Sequence, residues 1–243
     1  MTDELHTLDI SVPERWADRA ADVMAAAIAQ AIGRSGRCLM ALSGGSTPTP
    51  VFDALADRDV LWEHVTILQV DERVVPADDP ARNLAGQRAA LGHLGASWLP
   101  LPVDELLAIP ESAGDEERAT ATAEVLEEFV ADLTGLADDP PVLDLLHLGL
   151  GDDGHTASLF PGDPLLDEMR SPVGLTGVQN GTRRISLTRP ALDRARMVVW
   201  LVKGANKVEP LGRLLVGDLS IPAGLIRPAH SVVLADANAA RQT

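Results

Sequence analysis

The residues with the clearest chemical potential form the run Gly-Leu-Gly-Asp-Asp-Gly-His-Thr-Ala-Ser at 149–158. It follows the apolar stretch 142–148, which predicts a buried strand, so two carboxylates and an imidazole come where that strand ends. In open α/β sheets, ligands bind at the carboxyl ends of the strands. Histidine titrates near neutral pH and is the most frequent general acid or base. The run is therefore a candidate for acid–base chemistry, with a plain Gly-Asp turn and a solvated histidine as the alternative.

The same run also matches the dinucleotide-binding pattern G-x-G-x-x-G at 149–154. That pattern holds a pyrophosphate on the backbone amides of a helix N-terminus. Asp152 and Asp153 would place two negative charges in this cradle, and Pro161 would interrupt a following helix. We therefore expect no nicotinamide cofactor at this loop.

A second candidate is the loop Ser-Gly-Gly-Ser-Thr-Pro at 43–48, which follows the apolar stretch 38–42. Its glycines allow close backbone approach, its hydroxyls donate hydrogen bonds, and Pro48 begins a predicted helix whose positive end favours an anion. The loop could cradle a phosphate, or it could be a tight turn with Thr47 as the helix cap. It lacks the Gly-Lys-Ser/Thr ending of a nucleotide-binding P-loop.

Cationic side chains mark three further places at predicted strand ends or helix starts. Asp-Glu-Arg at 71–73 could present Arg73 to a phosphate, or form a self-satisfied ion pair. Arg184 comes at the start of a predicted strand, and Lys207 lies at a helix start. Solvation and charge balance are the alternative interpretation for each cation taken alone, whereas convergence of all of them would indicate an anion site.

Composition restricts the classes of function. The chain has 243 residues, 46% of them hydrophobic and 23% charged, as in an ordinary globular protein. A formal net charge of −16 argues against a nucleic-acid partner, because phosphate contacts require basic patches. With one cysteine, no apolar run of membrane-spanning length and no signal peptide at 1–9, we expect a cytoplasmic protein without a membrane partner.

Short apolar stretches alternate with amphipathic ones along the chain. This order predicts an α/β fold with a doubly wound, mostly parallel sheet and helices on both faces, Rossmann-like, in a single domain over 1–243. Strands are predicted at 38–42, 65–70, 142–148, 184–187, 197–202 and 231–235. A first helix is predicted to begin at a capping box formed by Ser11 and Glu14, with Pro13 at an early helical position, and to end near residue 32. Further helices are predicted at 48–56, 81–91, 111–133 and 205–215.

Taken together, these motifs resemble the glucosamine-6-phosphate isomerase/6-phosphogluconolactonase family over nearly the whole chain and in the family's order. The run Ser158-Leu159-Phe160-Pro161 stands where the aminosugar deaminases have Asn-Glu-Pro, and Arg73 stands where they have an aromatic residue. Both differences indicate the lactonase branch. The sequence departs from the family pattern at Arg82, which precedes Asn83 where many members have a serine. The contact that this side chain makes is therefore open.

The resemblance implies hydrolysis of 6-phospho-D-glucono-1,5-lactone, with His155 as the general base and Asp153 orienting its imidazole. It implies substrate or phosphate binding by a set of residues from all of the motifs: Ser43, Gly44, Gly45, Ser46, Thr47, Asp71, Arg73, Asn83, Gly151, Arg184 and Lys207. No cofactor and no metal are expected, because no second histidine has ligand spacing to His155. The expected partner is the sugar-phosphate lactone, and the expected state is a monomer or weak homodimer.

Two other functions remain open at this point. An isomerase-deaminase would act on an aminosugar phosphate and release ammonia. A sugar-phosphate sensor on the same scaffold would keep the phosphate cradle without needing His155, but it would usually carry an effector segment, and the chain has no basic helix-turn-helix region.

Overall fold

Ten strands and seven α-helices make up the described part of the chain. In this computed structural model, residues 6–12 and 14–241 are described. The strands are β1 (Thr7–Ser11), β2 (Cys38–Leu42), β3 (Val65–Gln69), β4 (Asp71–Arg73), β5 (Ser97–Trp98), β6 (Leu145–Leu148), β7 (Val173–Leu175), β8 (Arg184–Leu187), β9 (Val198–Val202) and β10 (Ser231–Asp236). The helices are α1 (Trp16–Ser35), α2 (Thr49–Ala56), α3 (Asn83–Leu91), α4 (Val103–Ala108), α5 (Asp115–Leu136), α6 (Arg189–Asp193) and α7 (Val208–Leu215).

Seven of the strands form one sheet in the order β1-β10-β9-β6-β2-β3-β5. All neighbouring pairs in this sheet are parallel. Parallel strands need crossover connections that cover the sheet, which agrees with the helices that separate most of them along the chain. The predicted α/β fold with a doubly wound parallel sheet is therefore confirmed. None of the described helices combines the length and the hydropathy that crossing a bilayer requires.

Both faces of the sheet are buried, as the alternation of side chains in β2 shows. Leu39 and Ala41 pack into one hydrophobic cluster together with residues of α5, β8 and α7. Met40 and Leu42 pack into a second cluster with residues of α1 and α2. Successive side chains of a strand point to opposite faces, so the two clusters are the two layers between the sheet and its helices.

The remaining three strands form a second sheet in the order β4-β8-β7, and both of its strand pairs are antiparallel. The sequence patterns did not predict it. The strand expected at 65–70 ends at Gln69, and the next residues, Asp71–Arg73, form β4 in the second sheet. The stretch 184–187 is a strand with the predicted bounds, but it pairs with β4 and β7 instead of joining the parallel sheet.

The predicted start of the first helix is wrong. Ser11 is the last residue of β1, and α1 begins at Trp16 with Arg15 at its cap position and no side-chain cap bond, so Ser11 and Glu14 form no capping box there. The alternating apolar residues of β1 pair with β10 at the sheet edge, and this pairing takes precedence over the local capping pattern. Pro13 lies outside the described residues.

The other elements agree with prediction except at their ends. Strand β6 is shorter than 142–148, because Asp144 accepts the backbone N–H of Leu39 with its carboxylate just before the ladder begins. The segment 205–215 divides into a 3-10 turn at Ala205–Lys207 and helix α7. The predicted helices at 81–91 and 111–133 begin later, at Asn83 and Asp115.

Candidate active site

The candidate site is a cleft of about 610 Å³ at the carboxyl ends of β2 and β6. These two strands are neighbours in the sheet, but the chain leaves β2 toward β3 on one side and reaches β6 only after β5. The strand order reverses between them, and this is where open α/β sheets leave a crevice for ligands. The sequence motifs at 43–48 and 149–158 follow β2 and β6 directly and therefore form the walls of this crevice.

The loop after β6 folds back on itself and presents His155 to the cleft. Gly151 donates its N–H to the carbonyl oxygen of His155 at 2.8 Å. Gly154 between them has a φ of +82°, a conformation that residues with a Cβ rarely adopt. The stretch after Gly154 contains no α-helix before the 3-10 turn Pro164–Asp167, so the loop is not a pyrophosphate-binding helix start.

Asp153 holds the ring of His155 in one orientation. Its Oδ1 lies 2.5 Å from Nδ1 of His155 and also accepts the His155 backbone N–H at 3.1 Å. Burial raises the pKa of Asp153, but the hydrogen bonds and the charge of His155 outweigh it, so that pKa lies below its ordinary value. The carboxylate is therefore ionised at neutral pH, and a hydrogen bond from Nδ1–H leaves Nε2 of the ring free to accept a proton.

One face of the imidazole packs on Phe160, with ring centroids 4.6 Å apart. The guanidinium of Arg184 lies on the same phenyl ring, 5.0 Å from its centroid. Phe160 thus connects the candidate base with a cation, a role that the sequence motif gave no reason to assign.

The loop after β2 is tied to β6 by His147. The backbone N–H of Ser43 donates to Nδ1 of His147 at 3.2 Å, and the Ser43 hydroxyl donates to the His147 carbonyl at 3.0 Å. Burial lowers the pKa of His147 to about 3, so this imidazole is neutral and accepts the Ser43 N–H. Both donors of Ser43 are used inside the protein and would not reach a ligand without rearrangement.

Gly44 has a steric reason to lack a side chain. A Cβ at this position would lie 2.0 Å from Oδ1 of Asn83, so the asparagine packs directly against the loop backbone. Thr47 lines the cleft, whereas Gly45 and Ser46 do not. Helix α2 begins at Thr49 with Pro48 at its cap position, so Thr47 is not the side-chain cap that we considered.

The second sheet brings two arginines to the opposite wall. Arg73 of β4 and Arg184 of β8 are directly paired in the antiparallel register. Arg73 donates from Nη1 to the Ala81 carbonyl at 2.7 Å and to Oδ1 of Asn83 at 3.0 Å. The Nε atoms of both arginines are buried without a hydrogen-bond partner among the residues that the structure describes. Burial, and then the charge of Arg73, lower the pKa of Arg184.

The run 71–73 is not a self-satisfied ion pair. Glu72 is buried, and its carboxylate accepts the backbone N–H groups of Arg73, Asn83 and Leu84 at 2.9, 2.7 and 2.8 Å. Burial raises the pKa of Glu72 in spite of these hydrogen bonds. Glu72 thus anchors the start of α3, and with it Asn83, beside Arg73.

Asp71 and Arg82 also have defined contacts. The Oδ2 atom of Asp71 accepts a hydrogen bond from the Ser158 hydroxyl at 2.5 Å. The backbone carbonyl of Asp71 accepts one from the side-chain amide of Asn83 at 2.8 Å. Arg82 is buried, donates to the Val75 carbonyl at 2.8 Å and lies 3.7 Å from the Glu72 carboxylate. Arg82 therefore braces the loop before α3 and is not one of the residues that line the cleft.

Lys207 reaches the cleft from the turn after β9. Its ammonium contacts Oδ1 of Asp152, which also accepts the side-chain amide of Asn206 at 2.9 Å. The hydrogen bonds from Lys207 and then Asn206 lower the pKa of Asp152. Lys207 is thus paired with a carboxylate, whereas neither Arg73 nor Arg184 forms an ion pair within the described part of the chain.

Most of the residues that the sequence indicated line this single cleft: Ser43, Gly44, Thr47, Asp71, Arg73, Asn83, Gly151, Asp153, His155, Arg184 and Lys207. Sequence reasoning missed Phe160 and the pair Gln179 and Asn180, which also line it. Gln179 and Asn180 belong to the β7–β8 hairpin loop, whose Asn-Gly dipeptide at 180–181 was an available signal for a hairpin turn. The described residues include no group of three or more side chains suited to hold a metal ion.

Comparisons with known proteins agree with this architecture. The family model described as glucosamine-6-phosphate isomerases/6-phosphogluconolactonase matches residues 11–235. A 6-phosphogluconolactonase of Synechocystis is 36% identical over 222 residues, which cover 89% of this chain and 88% of that protein. One of Caulobacter vibrioides is also 36% identical, over 83% of this chain and 82% of its own length. The solved structure of a Trypanosoma brucei 6-phosphogluconolactonase superposes with a TM-score of 0.81, covers 97% of each chain and is 24% identical, which shows the shared fold.

Proposed function

The chain belongs to the family of glucosamine-6-phosphate isomerases and 6-phosphogluconolactonases, and from this premise we propose that it hydrolyses 6-phospho-D-glucono-1,5-lactone to 6-phospho-D-gluconate. The observation that carries the proposal is the position of the Asp153–His155 pair in one cleft with Arg73 and Arg184, which form no ion pair with the residues that the structure describes. A base and an anion site in the same cleft suit a reaction on a phosphorylated ester.

In the proposed reaction, His155 is the general base. Its Nε2 takes a proton from a water molecule, whose oxygen attacks the lactone carbonyl carbon. Asp153 on Nδ1 keeps the tautomer that leaves Nε2 unprotonated and stabilises the imidazolium that forms. The tetrahedral intermediate then collapses, the bond from the carbonyl carbon to the ring oxygen breaks, and the ring oxygen takes the proton from the imidazolium.

The phosphate requires cations that the protein does not already neutralise. Arg73 and Arg184 meet this requirement, because their guanidinium groups share one wall of the cleft without a carboxylate partner among the described residues. Lys207 and Thr47 line the same cleft, and we assign them to the proposed anion site as well. Asp71, which accepts the Ser158 hydroxyl, and Asn83, which accepts from Arg73, line the cleft, and we assign them contacts with the sugar hydroxyls.

A specific observation favours the lactonase over the deaminase branch. Ser158 stands in the run where the deaminases carry Asn-Glu-Pro, and its hydroxyl is committed to the buried Asp71. This segment offers no additional carboxylate to assist ring opening of an aminosugar. The non-catalytic sensor is disfavoured because Asp153 orients His155, an arrangement that phosphate binding alone does not need.

Parallel assays of the purified protein test the proposal. Acid release from freshly prepared 6-phosphogluconolactone should exceed the spontaneous rate by several orders of magnitude, while glucosamine 6-phosphate should release no ammonia. Ammonia release without lactone hydrolysis would assign the chain to the isomerase branch. Tight binding of 6-phosphogluconate by a folded protein that accelerates neither reaction would assign it as a sensor.

A further inference from the structure

One of the two lysines that line the cleft, Lys207, is already bound to a protein anion. The Lys207 ammonium contacts Oδ1 of Asp152, and Asn206 donates to the same oxygen at 2.9 Å. The Lys207 side chain is 18% exposed, whereas the Asp152 side chain is 65% exposed. The carboxylate is therefore the more exposed partner of this pair, and both residues line the cleft.

This contact distinguishes Lys207 from the two arginines of the cleft. Arg73 donates to uncharged oxygens of Ala81 and Asn83, and Arg184 lies over the ring of Phe160. In contrast, an anion that binds Lys207 must either displace Asp152 or share the ammonium with it at close range. Sharing keeps a second negative charge next to the ligand, whereas displacement breaks the contact between Lys207 and Asp152, and both outcomes weaken binding of the ligand.

We propose that Asp152 competes with the ligand's phosphate for Lys207 and thereby weakens the affinity of the cleft for phosphate-bearing ligands. The inference rests on the proposed function in that Lys207 is taken as part of the phosphate site. When a phosphate takes the ammonium, the charge-assisted hydrogen bond between Asp152 and Lys207 is lost, which corresponds to about a tenfold change in affinity.

The competition has a consequence for turnover. Substrate, product and free inorganic phosphate all bring a phosphate to Lys207, so each of them competes with the same carboxylate. The product also carries a new carboxylate group, because hydrolysis opens the lactone. The negative charge of Asp152 therefore opposes the product more than the substrate, which favours product release and limits occupancy by free phosphate.

Binding of inorganic phosphate measured by calorimetry tests the proposal without turnover. At pH 8 and low ionic strength, Asp152→Asn should lower the Kd for phosphate by about tenfold, which corresponds to about 1.4 kcal/mol. The matched control is Asp59→Asn, since Asp59 is an exposed aspartate outside the cleft, and it should leave the Kd unchanged.

A double-mutant cycle separates competition from a general field effect. In a Lys207→Met background, Asp152→Asn should change the phosphate Kd by less than about threefold, because the contested ammonium is gone. An equal or higher Kd for Asp152→Asn alone would overturn the proposal, and so would a full tenfold gain in the Lys207→Met background. The phosphate Kd values are measured without lactone hydrolysis, so a chain without lactonase activity could still show the predicted changes in Kd.

Discussion

Arg73 and Arg184 lie directly opposite each other in the antiparallel pair of β4 and β8, although both carry a positive charge. Like charges in directly opposed positions destabilise a sheet. The cost is increased here because Nε of each guanidinium is buried without a partner among the described residues. A pairing that opposes folding is understandable when a ligand supplies the missing negative charge, as the phosphate of the proposed substrate would.

Replacing one of these arginines should weaken substrate binding without weakening the fold. We expect Arg184→Met to raise the KM for the phosphorylated lactone by at least tenfold, since charge-assisted hydrogen bonds contribute about 1.5–3 kcal/mol. The Tm should stay the same or rise, because a repulsive, partly buried charge is removed. Steady-state kinetics and thermal unfolding measure the two effects.

The neighbouring Arg183 offers a matched control for this variant. It is exposed and does not line the cleft, so Arg183→Met should change neither KM nor Tm appreciably. An unchanged KM in Arg184→Met, or a Tm several degrees below that of the wild type, would contradict the interpretation of the arginine pair.

Two glycines of the same loop should respond differently to a methyl group. A Cβ at Gly151 would lie 2.1 Å from Nδ1 of His155 and 2.7 Å from Oδ1 of Asp153, whereas a Cβ at Gly149 would meet no atom within 4 Å. Gly151→Ala should displace the imidazole and lower kcat by tenfold or more, while Gly149→Ala should retain nearly full activity. Equal kcat values for the two variants would show that the ring position is not critical.

Stability should depend on pH through the buried His147. Its pKa in the folded protein is lowered to about 3 by burial, whereas the unfolded chain takes up this proton near pH 6.5. Between these values the unfolded state binds more protons, so the free energy of unfolding falls as the pH falls. His6 contributes in the same direction, since burial, together with the charge of Arg227, lowers its pKa to about 4.

Urea titrations of wild type and His147→Gln at pH 7.5 and 5.5 isolate this contribution. The wild type should lose about 1.4 kcal/mol more than the variant over this interval, because the variant lacks one proton-binding group in the unfolded state. His93→Gln, at an exposed histidine, should follow the wild type. Parallel behaviour of the wild type and His147→Gln would show that His147 is protonated in the folded protein.

The sequence indicated the site better than it indicated the second sheet. Chemistry-bearing residues follow β2 and β6 in short motifs, and the rule that ligands bind at the carboxyl ends of parallel strands brought them together correctly. The pairing of Arg73 with Arg184 could not be found in this way. It joins a three-residue strand to a partner more than a hundred positions later, and neither segment carries a local signal for its register.

Contacts made through Phe160, Asp152 and His147 were not predictable for a related reason. Each depends on how two loops approach each other, and short-range patterns contain no information on that approach. The expected extent of a single domain over 1–243 stays a prediction, as do the monomeric or weakly dimeric state and the individual roles of the site residues.

The general base is the central claim, and the lactone hydrolysis rate of His155→Ala tests it most directly. The measurement is acid release from freshly prepared 6-phosphogluconolactone, corrected for spontaneous hydrolysis, with His93→Ala as the control for loss of an exposed histidine. We predict a kcat about 10²–10⁴-fold below wild type for His155→Ala, the range for a lost general base, with an unchanged Tm. Hydrolysis by His155→Ala at close to the wild-type rate would contradict the account.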